Sequence, residues 1–371
     1  MKKIKLLHIL TELQLTNGIT SYVMNHYQRL DHEKFSVDFL IAKTADQKYV
    51  DMIEKYNDRI LYSPKISMKN YAKFVKHAKE LFHEHKYDIV HSHEFNWGMP
   101  YLREAKRVGI PVRIFHAHAT QSSPSLIKRF RNALLIPKTI HAASDLWSCS
   151  EIAGKFFFKD KAFFLSHNAI NEEKFQFNQE YREDIRNLLN LDNKTKLIGF
   201  FGRFEAQKNP MHTLNVFKEL LKLRSDIHLL MVGSGSLEKN ILEFISNEKL
   251  ESKITVFSPR RDIYKFYSAI DLFLLPSLYE GLPVVGVEAL FSNLPQVYST
   301  NITREINLID SIHYLPLELS TDMWARKIST FLDMNVSRVL NDTSKLNVYK
   351  IDYQAKMVED KYLSYFKGEN N

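Results

Sequence analysis

The feature that most constrains the fold is an alternation of short apolar runs with longer amphipathic segments, repeated in two series. Runs rich in β-branched and aromatic residues are typical of buried strands, and the segments between them have helical period. The strand candidates are "IKLLHIL", "FSVDFLIA", "DIVHSH", "VRIFHAHA", "DLWSCS" and "AFFLSHNAI", then "LIGFFGRF", "IHLLMVG", "ITVFSP", "LFLLPS" and "PQVYST". This order predicts two α/β domains, each built on a doubly wound parallel sheet.

The chain turns polar after Phe175, and the boundary between the two domains is predicted just before that point. We place the N-terminal domain at residues 1–172 and the C-terminal domain at residues 173–351. The last amphipathic segment, "DYQAKMVEDKYLSYF", has no strand after it. Its pattern alone does not assign it to either domain.

The beginning of the chain and its single cysteine limit the cellular setting. The start, "MKKIKLLHILTELQ", is interrupted by Lys5 and His8, so we interpret it as a first strand and not as a signal peptide. No run approaches the roughly 18 apolar residues of a membrane-spanning helix. Cys149 alone excludes an internal disulfide and a cysteine-based zinc site, and it fits a reducing compartment. We expect a cytoplasmic protein, either soluble or peripheral at the inner face of the plasma membrane.

Positive charge is concentrated in the first half of the chain. Residues 1–170 hold 26 Lys and Arg against 16 Asp and Glu, whereas the whole chain has a net charge of +8. Such a half favours an anionic partner, which could be a lipid surface, a phosphate-bearing acceptor or nucleic acid. An evenly solvated basic surface is the alternative.

Two carboxylates stand eight positions apart in the apolar run "LFLLPSLYEGLPVVGVEAL". Glu280 follows a strand candidate, and Gly281, Leu282 and Pro283 open a helix whose free N–H groups suit an anion. Glu288 is expected about two turns into that helix. Each acid could accept hydrogen bonds from neighbouring sugar hydroxyls. The alternative is that Glu280 complements the helix dipole and Glu288 is an exposed charge.

Two other strand ends carry residues suited to phosphate. In "LIGFFGRFEAQKNP", Gly202 and Arg203 end a strand and Lys208 follows, so that two cations could neutralise a diphosphate without a metal. In "HLLMVGSGSLEKN", Gly233 and Gly235 would let the backbone approach a ligand at a helix N-terminus. The alternative for the first segment is a pair of surface cations, and the alternative for the second is a tight turn.

In the first half of the chain, the strand ends carry an Asn-Gly turn and two His-x-His pairs. Asn17 and Gly18 follow the first strand, where their backbone could meet phosphate or sugar. "DIVHSH" and "RIFHAHA" each place two histidines on one face of a strand, and the second pair is His116 and His118. Four histidines could bind zinc, but hydrogen bonding or strand-end packing is favoured, and we expect no metal. The chain also contains no Asp-x-Asp motif.

Taken in order, these segments resemble the retaining GT-B glycosyltransferases of the family 4 type, in particular bacterial enzymes of capsular and exopolysaccharide assembly. The match covers nearly the whole chain. Its strongest part is Glu280-Gly-Leu-Pro to Glu288, the Glu-x7-Glu motif of that family. "GRFEAQKNP" is similar to its phosphate motif, "HNAINEEKF" to its interdomain motif, and "FSPRRDIYKFYSAIDLFLLPS", which contains Arg260, to its base-side loop, helix and strand.

The resemblance implies two Rossmann-like domains facing across a cleft, with the acceptor on the N-terminal domain and the nucleotide sugar on the C-terminal one. It assigns the last helix, 352–371, to the N-terminal domain. It implies the following roles: Arg203 and Lys208 neutralise the diphosphate, Glu288 holds the ribose, Glu280 faces the donor sugar, Gly18 borders the phosphates, and His118, or else His116, is the catalytic-site histidine.

Three positions depart from the family pattern. Asn168 to Asn171 replace the usual Gly and Asp of the interdomain turn. Asn293 stands where Gly is common, and we expect it to take the left-handed conformation. Only Gly18, behind Asn17, remains of the glycine-rich first turn. None of these changes removes a charged group to which a role is assigned.

The resemblance implies a retaining transferase that moves a hexose from a nucleotide diphosphate sugar, by family habit UDP-linked, to a lipid-linked oligosaccharide or other glycan hydroxyl, without a cofactor. A GT-B sugar-nucleotide epimerase and a non-catalytic partner subunit of a glycosyltransferase complex are the competing interpretations. The charge is not arranged around an aromatic recognition surface, so no nucleic-acid partner is expected. The basic segment "SLIKRFRNALLIPK" is typical of an interfacial helix on an anionic membrane.

Overall fold

The chain folds into two compact units. A computed structural model describes residues 2–15, 17–65, 70–118, 126–309, 311–334, 336–340 and 342–367, with the backbone alone at 126–130. The N-terminal unit comprises residues 1–169 and 351–371, and the C-terminal unit comprises residues 170–350. The first crossing between them falls inside the run "HNAINEEKF". The C-terminal unit is thus inserted into the sequence of the N-terminal one.

The N-terminal unit is a seven-stranded parallel sheet in the order β3-β2-β1-β4-β5-β6-β7. Leu6 of the first strand packs into one apolar core and Leu7 into another, so both faces of the sheet are covered. The elements are β1 Ile4–Leu10, α1 Gly18–Tyr27, β2 Phe35–Ile41, α2 Gln47–Glu54, β3 Arg59–Tyr62, α3 Tyr71–Glu84, β4 Ile89–Ser92, α4 Met99–Arg107, β5 Val112–Ala117, α5 Leu126–Ala142, β6 Asp145–Ser148, α6 Glu151–Phe158 and β7 Phe164–Leu165.

The C-terminal unit repeats this plan with six parallel strands in the order β10-β9-β8-β11-β12-β13. Leu197 and Ile198 of its first strand again enter opposite cores. The elements are α7 Gln179–Leu188, β8 Lys196–Phe201, α8 Pro210–Leu221, β9 Ile227–Val232, α9 Glu238–Asn247, β10 Ile254–Phe257, α10 Ile263–Ala269, β11 Leu272–Leu275, α11 Val284–Phe291, β12 Gln296–Ser299, β13 Ile312–Leu315 and α12 Thr321–Leu332.

Both sheets have the topology predicted for doubly wound domains. In each sheet the first strand lies near the middle, and later strands are added first on one side and then on the other. The order reverses between β1 and β4 in the first unit and between β8 and β11 in the second. Ligands of open parallel sheets bind at such switch points, beyond the carboxyl ends of the strands. Two edge strands, β3 and β13, were missed by the sequence analysis.

The last helix, α13 Ile351–Ser364, packs on the N-terminal unit. Val358 and Tyr362 enter the core that contains β1. The carboxylate of Glu359 accepts a hydrogen bond from the backbone N–H of Asp31 at 3.0 Å. Helix α13 therefore completes the hydrophobic core of the first unit.

The turn after α11 has the conformation expected from its sequence. Asn293 has a φ of 45°, in the left-handed region that Gly often occupies at helix ends. The side-chain amide of Asn293 also donates to the carbonyl of Ser337 at 2.7 Å. The prediction that Asn293 takes the left-handed conformation is confirmed.

A buried charge network fixes the start of β11, which leads to Glu280. Asp271 accepts from the backbone N–H of Leu197 at 2.8 Å and from Arg182 at 2.7 Å. Arg186, whose side chain is 2% exposed, lies 3.4 Å from the same carboxylate. One acid thus compensates two arginines and ties β8 to β11.

We predict that Asp271→Ala destabilises the C-terminal unit by about 3–5 kcal/mol, because a buried arginine is left without its anion. The control is Asp322→Ala, which breaks an exposed pair with Arg326 and should cost less than about 1 kcal/mol. Calorimetric unfolding of both variants measures the difference. Equal losses of stability would contradict the buried network.

Candidate functional site

The main polar feature of the C-terminal unit is an ion pair between Lys208 and Glu280. The ammonium nitrogen lies 2.6 Å from Oε1 of the carboxylate, and the side chains are only 11% and 10% exposed. Lys208 follows β8 and Glu280 follows β11, so the pair spans the switch point of the sheet. The two charges predicted to act on one ligand are thus in direct contact.

Gln207 joins the two loops that carry this ion pair. Its backbone carbonyl accepts from the N–H of Leu278 at 2.8 Å, and its side-chain amide donates to the carbonyl of Tyr279 at 3.1 Å. Arg203 donates to the side-chain oxygen of Gln207 at 3.0 Å, and its guanidinium remains exposed. An exposed arginine and a buried lysine therefore both follow β8.

The glycines at the ends of β8 and β9 are required by packing. A Cβ on Gly233 would lie 1.9 Å from the carbonyl oxygen of Gly202, and one on Gly235 would lie 2.5 Å from the carbonyl oxygen of Phe204. Gly202 itself has a φ of 147°. Close approach of the two loops explains Gly233 and Gly235, and the positive φ explains Gly202. The backbone contact with a ligand stays a prediction.

Glu288 is partly buried and hydrogen-bonded. It is the fifth residue of α11, just over one turn into the helix, because the helix begins at Val284; the expected two turns were wrong. Its Oε2 accepts from the hydroxyl of Tyr267 at 2.5 Å. Burial raises the pKa of Glu288 to about 7, although the Tyr267 hydroxyl and the charge of Lys208 lower it. The alternative of an exposed surface charge is wrong.

The segment before α11 has a defined local structure. Pro283 is the N-cap, and its carbonyl accepts from the N–H groups of Gly286 at 2.9 Å and Val287 at 3.1 Å. Leu282 is 6% exposed and belongs to the core, which is a structural role for a residue predicted at the site. Gly281 directly follows Glu280 and is partly exposed. The N–H groups of the helical residues before Gly286 do not take part in these two hydrogen bonds, and they are the groups that the anion hypothesis requires.

Arg260 lies after β10 and is exposed. It makes two 2.9 Å hydrogen bonds to the carboxylate of Asp262. Its guanidinium lies 5.2 Å from the ring centre of Phe257 and 5.0 Å from that of Phe266. Arg260 already has these partners, and its contact with the nucleotide stays a prediction.

Asn17 and Gly18 form the start of α1. Asn17 is the N-cap: its Oδ1 accepts from the N–H of Ile19 at 2.9 Å and of Thr20 at 3.2 Å, and its amide donates to Glu12 at 3.0 Å. Gly18 is exposed, and a Cβ added there would meet nothing within 4 Å. The side chain of Asn17 is therefore committed to the helix, which leaves the backbone at Gly18 open.

Histidines from three neighbouring strands of the N-terminal unit form a cluster. His8 lies in β1, and the two His-x-His pairs lie at the ends of β4 and β5, on one face as predicted. The nitrogen contacts are His8 Nδ1 to His93 Nε2 at 3.0 Å, His93 Nδ1 to His118 Nε2 at 2.8 Å, and His91 Nε2 to His116 Nδ1 at 3.1 Å. The hydroxyl of Tyr362, from α13, lies 2.6 Å from His91 Nδ1.

Burial keeps the rings of this cluster neutral near pH 7. It lowers the pKa of His118 to about 3 and that of His8 to about 3, with His26 opposing the charged form of both. The pKa values of His91, His93 and His116 are also well below their ordinary value, first through burial and then through neighbouring histidines. Neutral imidazoles can donate one hydrogen bond and accept one.

The sequence analysis missed three residues of these sites. His8 was noted only as a break in an apolar run, and Tyr267 and Tyr362 were not singled out. The His8 side chain follows the alternation of β1, but only the strand order places it beside β4. The contacts of Tyr267 and Tyr362 come from helices distant in sequence, for which the local pattern carries no signal.

Two family profiles match the chain, one in each unit. "Glycosyltransferase Family 4" matches residues 16–149, and "Glycosyl transferases group 1" matches residues 181–339. The first lies on the unit with the histidine cluster. The second covers the Lys208–Glu280 pair and Glu288.

Three relatives match most of their own length. EpsF, a glycosyltransferase of Bacillus subtilis (strain 168), is 29% identical over 88% of this chain and 87% of its own. The Escherichia coli UDP-Gal:alpha-D-GlcNAc-diphosphoundecaprenol alpha-1,3-galactosyltransferase is 24% identical over 80% and 79%. CapH of Staphylococcus aureus, a capsular polysaccharide biosynthesis glycosyltransferase, is 24% identical over 97% and 99%.

A solved structure supports the fold over nearly the whole chain. Anabaena Alr3699/HepE, in complex with UDP and glucose, is 15% identical, covers 98% of this chain and 100% of its own, and superposes with a TM-score of 0.72. At this identity the likeness concerns the fold alone. It agrees with the two parallel-sheet units described above.

The raised pKa of Glu288 predicts a specific pH dependence of stability. Its pKa is about 7 in the folded chain against 4.5 ordinarily, so the folded state holds the proton more tightly. Relative to Glu288→Gln, the wild type should be most stable below pH 4.5, lose stability as the pH rises to about 7, and change little above that. Melting temperatures from pH 4 to 9 test this. Glu251→Gln, at an exposed carboxylate, is the matched control, and the same trend in both variants would contradict the assignment.

Proposed function

We propose that this chain, which belongs to the GT-B glycosyltransferases of the family 4 type, transfers a hexose from a nucleotide diphosphate sugar to a hydroxyl of a lipid-linked oligosaccharide or another glycan. The donor is UDP-linked, the anomeric configuration is retained, and the product serves bacterial surface polysaccharide assembly. The C-terminal unit binds the donor, and the N-terminal unit binds the acceptor.

The Lys208–Glu280 ion pair at the β8/β11 switch point carries this proposal. As the bond from the sugar to the phosphate breaks, negative charge grows on the β-phosphate and positive charge grows on the sugar ring. Lys208 is already held in place by Glu280, and the exposed Arg203, which follows the same strand, can close onto a diphosphate. Fixed cations aimed at the developing charge lower the barrier without a metal ion.

Glu288 and the backbone around Pro283 complete the donor site. An ionised Glu288 accepts hydrogen bonds from the two ribose hydroxyls. The hydroxyl of Tyr267, which donates to Oε2, keeps the carboxylate in place. The first amides of α11 bind the diphosphate, since the N-terminus of a helix favours an anion. Because the pKa of Glu288 is about 7, donor binding weakens as the pH falls below neutral.

Glu280 holds the donor sugar and does not attack it. Its carboxylate is fixed by Lys208 at 2.6 Å, so its negative charge is partly compensated, which suits hydrogen bonding to sugar hydroxyls better than nucleophilic attack. His118, neutral and partly exposed at the end of β5, is the proposed catalytic-site histidine. His116 is fully buried, which favours His118 in this role.

The names of the relatives support the substrate classes. The Escherichia coli relative is named for transfer from UDP-Gal to a diphosphoundecaprenol-linked sugar, and CapH is named for capsular polysaccharide biosynthesis. The Anabaena structure contains UDP and glucose. The Escherichia coli name thus supports both a UDP-sugar donor and a lipid-linked acceptor, the Anabaena structure supports the donor, and the name of CapH supports the polysaccharide product.

The decisive experiment measures release of nucleoside diphosphate from a panel of nucleotide sugars by the purified protein, with EDTA present. We expect slow, EDTA-insensitive release from one donor and faster release when acceptor is added. Product analysis separates transfer from epimerisation, which would yield a free altered sugar or nucleotide sugar. Absence of binding and release with every donor would overturn the proposal.

We predict that Arg203→Ala lowers kcat by about 100- to 1,000-fold, the usual cost of removing one group that stabilises transition-state charge. Arg203 is exposed and bonds only to Gln207 among the described contacts, so the melting temperature should not change. The exposed Arg326→Ala, on α12, is the control and should keep full activity. Similar kcat values for the two variants would exclude Arg203 from catalysis.

A lipid surface is the proposed partner of the basic N-terminal unit. Helix α5 presents exposed Leu134 and Lys138. Lys128 and Arg129 are also part of the sequence prediction, but their side chains lie outside the described residues. Arg131 donates to the side-chain oxygen of Asn132 at 2.8 Å. Among the described helices, none is both long and apolar enough to cross a membrane. Attachment would therefore be at the surface of an anionic leaflet.

We predict that the protein cosediments with vesicles in proportion to their anionic lipid content and is released by salt. Each basic residue near such a surface contributes about 1 kcal/mol, so Lys138→Glu should weaken binding several-fold. Lys327→Glu, an exposed change on α12, is the control. Binding that does not respond to anionic lipid would remove the membrane partner.

A further inference from the structure

Three histidines at the end of β4 and β5 are close enough to share one ion. One nitrogen from each of His93, His116 and His118 lies within 4.8 Å of the other two. Side chains of His93 and His116 are buried, whereas His118 is partly exposed. Buried nitrogens at this spacing need either hydrogens between them or a shared ligand.

The hydrogen bonds among these histidines leave one nitrogen of His116 without a partner among the described residues. His116 Nδ1 meets His91 Nε2, and His91 Nδ1 meets the hydroxyl of Tyr362. His116 Nε2 is inaccessible to solvent and has no hydrogen-bond partner among the described residues. If His116 carries its proton on Nδ1, a buried lone pair remains; if on Nε2, a buried N–H remains. Either costs about 1–3 kcal/mol unless a ligand uses it.

We propose that His93, His116 and His118 bind a transition-metal ion of the zinc class. His93 Nδ1, His116 Nε2 and His118 Nε2 supply the three ligand atoms. Three neutral imidazoles with a fourth position open to water form an established zinc coordination set. The ion uses the lone pair of His116 that the hydrogen bonds leave over.

Binding an ion brings the three nitrogens, which lie within 4.8 Å of one another, to equal distances. Zn–N bonds of about 2.0–2.1 Å in a tetrahedral site place ligand nitrogens about 3.4 Å apart. The 2.8 Å contact between His93 and His118 must open by about half an ångström, and His118 is at the partly exposed end where an ion can enter. His91 Nε2 then accepts a hydrogen bond from the Nδ1–H of His116, the outer contact that orients a metal-bound imidazole.

A second group of three, His8, His91 and His93, also has nitrogens within 4.8 Å of each other. Both nitrogens of His91 are engaged, one by Tyr362 and one by His116. An ion there would have to break one of these contacts. The group with His116 and His118 breaks only the contact between His93 and His118.

Binding has one consequence that rests on the proposed function. His118 is the proposed catalytic-site histidine, so an ion on its Nε2 competes with that role. We expect Zn²⁺ to inhibit transfer and EDTA to restore it, while the transfer itself needs no metal. The binding experiment below does not use activity, so it decides the site even if the proposed function fails.

The test titrates the full chain, purified with a tag free of histidine and stripped of metal by a chelator, with Zn²⁺ against a chromogenic indicator. We expect one tightly bound ion per chain. Titration with Co²⁺ should give the visible absorption of a tetrahedral site. His93→Gln and His118→Gln should each weaken Zn²⁺ binding by more than about 100-fold, beyond the 10- to 100-fold cost of an outer contact.

The matched control is His26→Gln, a buried histidine beside the cluster that belongs to neither group of three. Its affinity for Zn²⁺ should equal that of the wild type. If His93→Gln does not fold, the partly exposed His118→Gln decides the question alone. Absence of tight binding by the wild type, or equal affinity in the His118 and His26 variants, would overturn the proposal and leave a hydrogen-bonded histidine cluster.

Discussion

Parallel pairing of the strands is the constraint on which both candidate sites depend. In a parallel sheet all carboxyl ends lie at one edge, so residues far apart in sequence converge wherever the strand order reverses. Lys208 and Glu280 meet across such a reversal in one unit, and His8 and His93 meet across the other. The two sites differ in electrostatics: one pairs opposite charges, and the other gathers neutral rings.

Much of this arrangement could be predicted from the sequence. The alternation of apolar runs predicts doubly wound sheets, because buried parallel strands are short and continuously apolar. A carboxylate at a strand end and another in the following helix predict Glu280 and Glu288 near one ligand. The spacing of His116 and His118 places both on one face, since alternate residues of a strand share a side.

The remaining details depend on contacts between distant residues. Burial among residues distant in sequence raises the pKa of Glu288, and no local signal predicted that shift or the contact with Tyr267. Asn17 caps a helix, a role that its position before Gly18 allowed but did not distinguish from ligand binding. The short edge strands β3 and β13 pair on one side only, which gives them weaker apolar patterns. Strand order, fixed by packing, is what brings His8 to the cluster.

The insertion of residues 170–350 within the N-terminal unit has a consequence for synthesis. Helix α13, which fills the core beside β1 and sets Tyr362 against His91, is translated after the entire C-terminal unit. At about 5–20 residues per second, the first unit waits roughly 10–40 s for its last helix. During that interval the apolar side of β1 and α1 is uncovered on the ribosome. The second unit can therefore complete its core before the first one does.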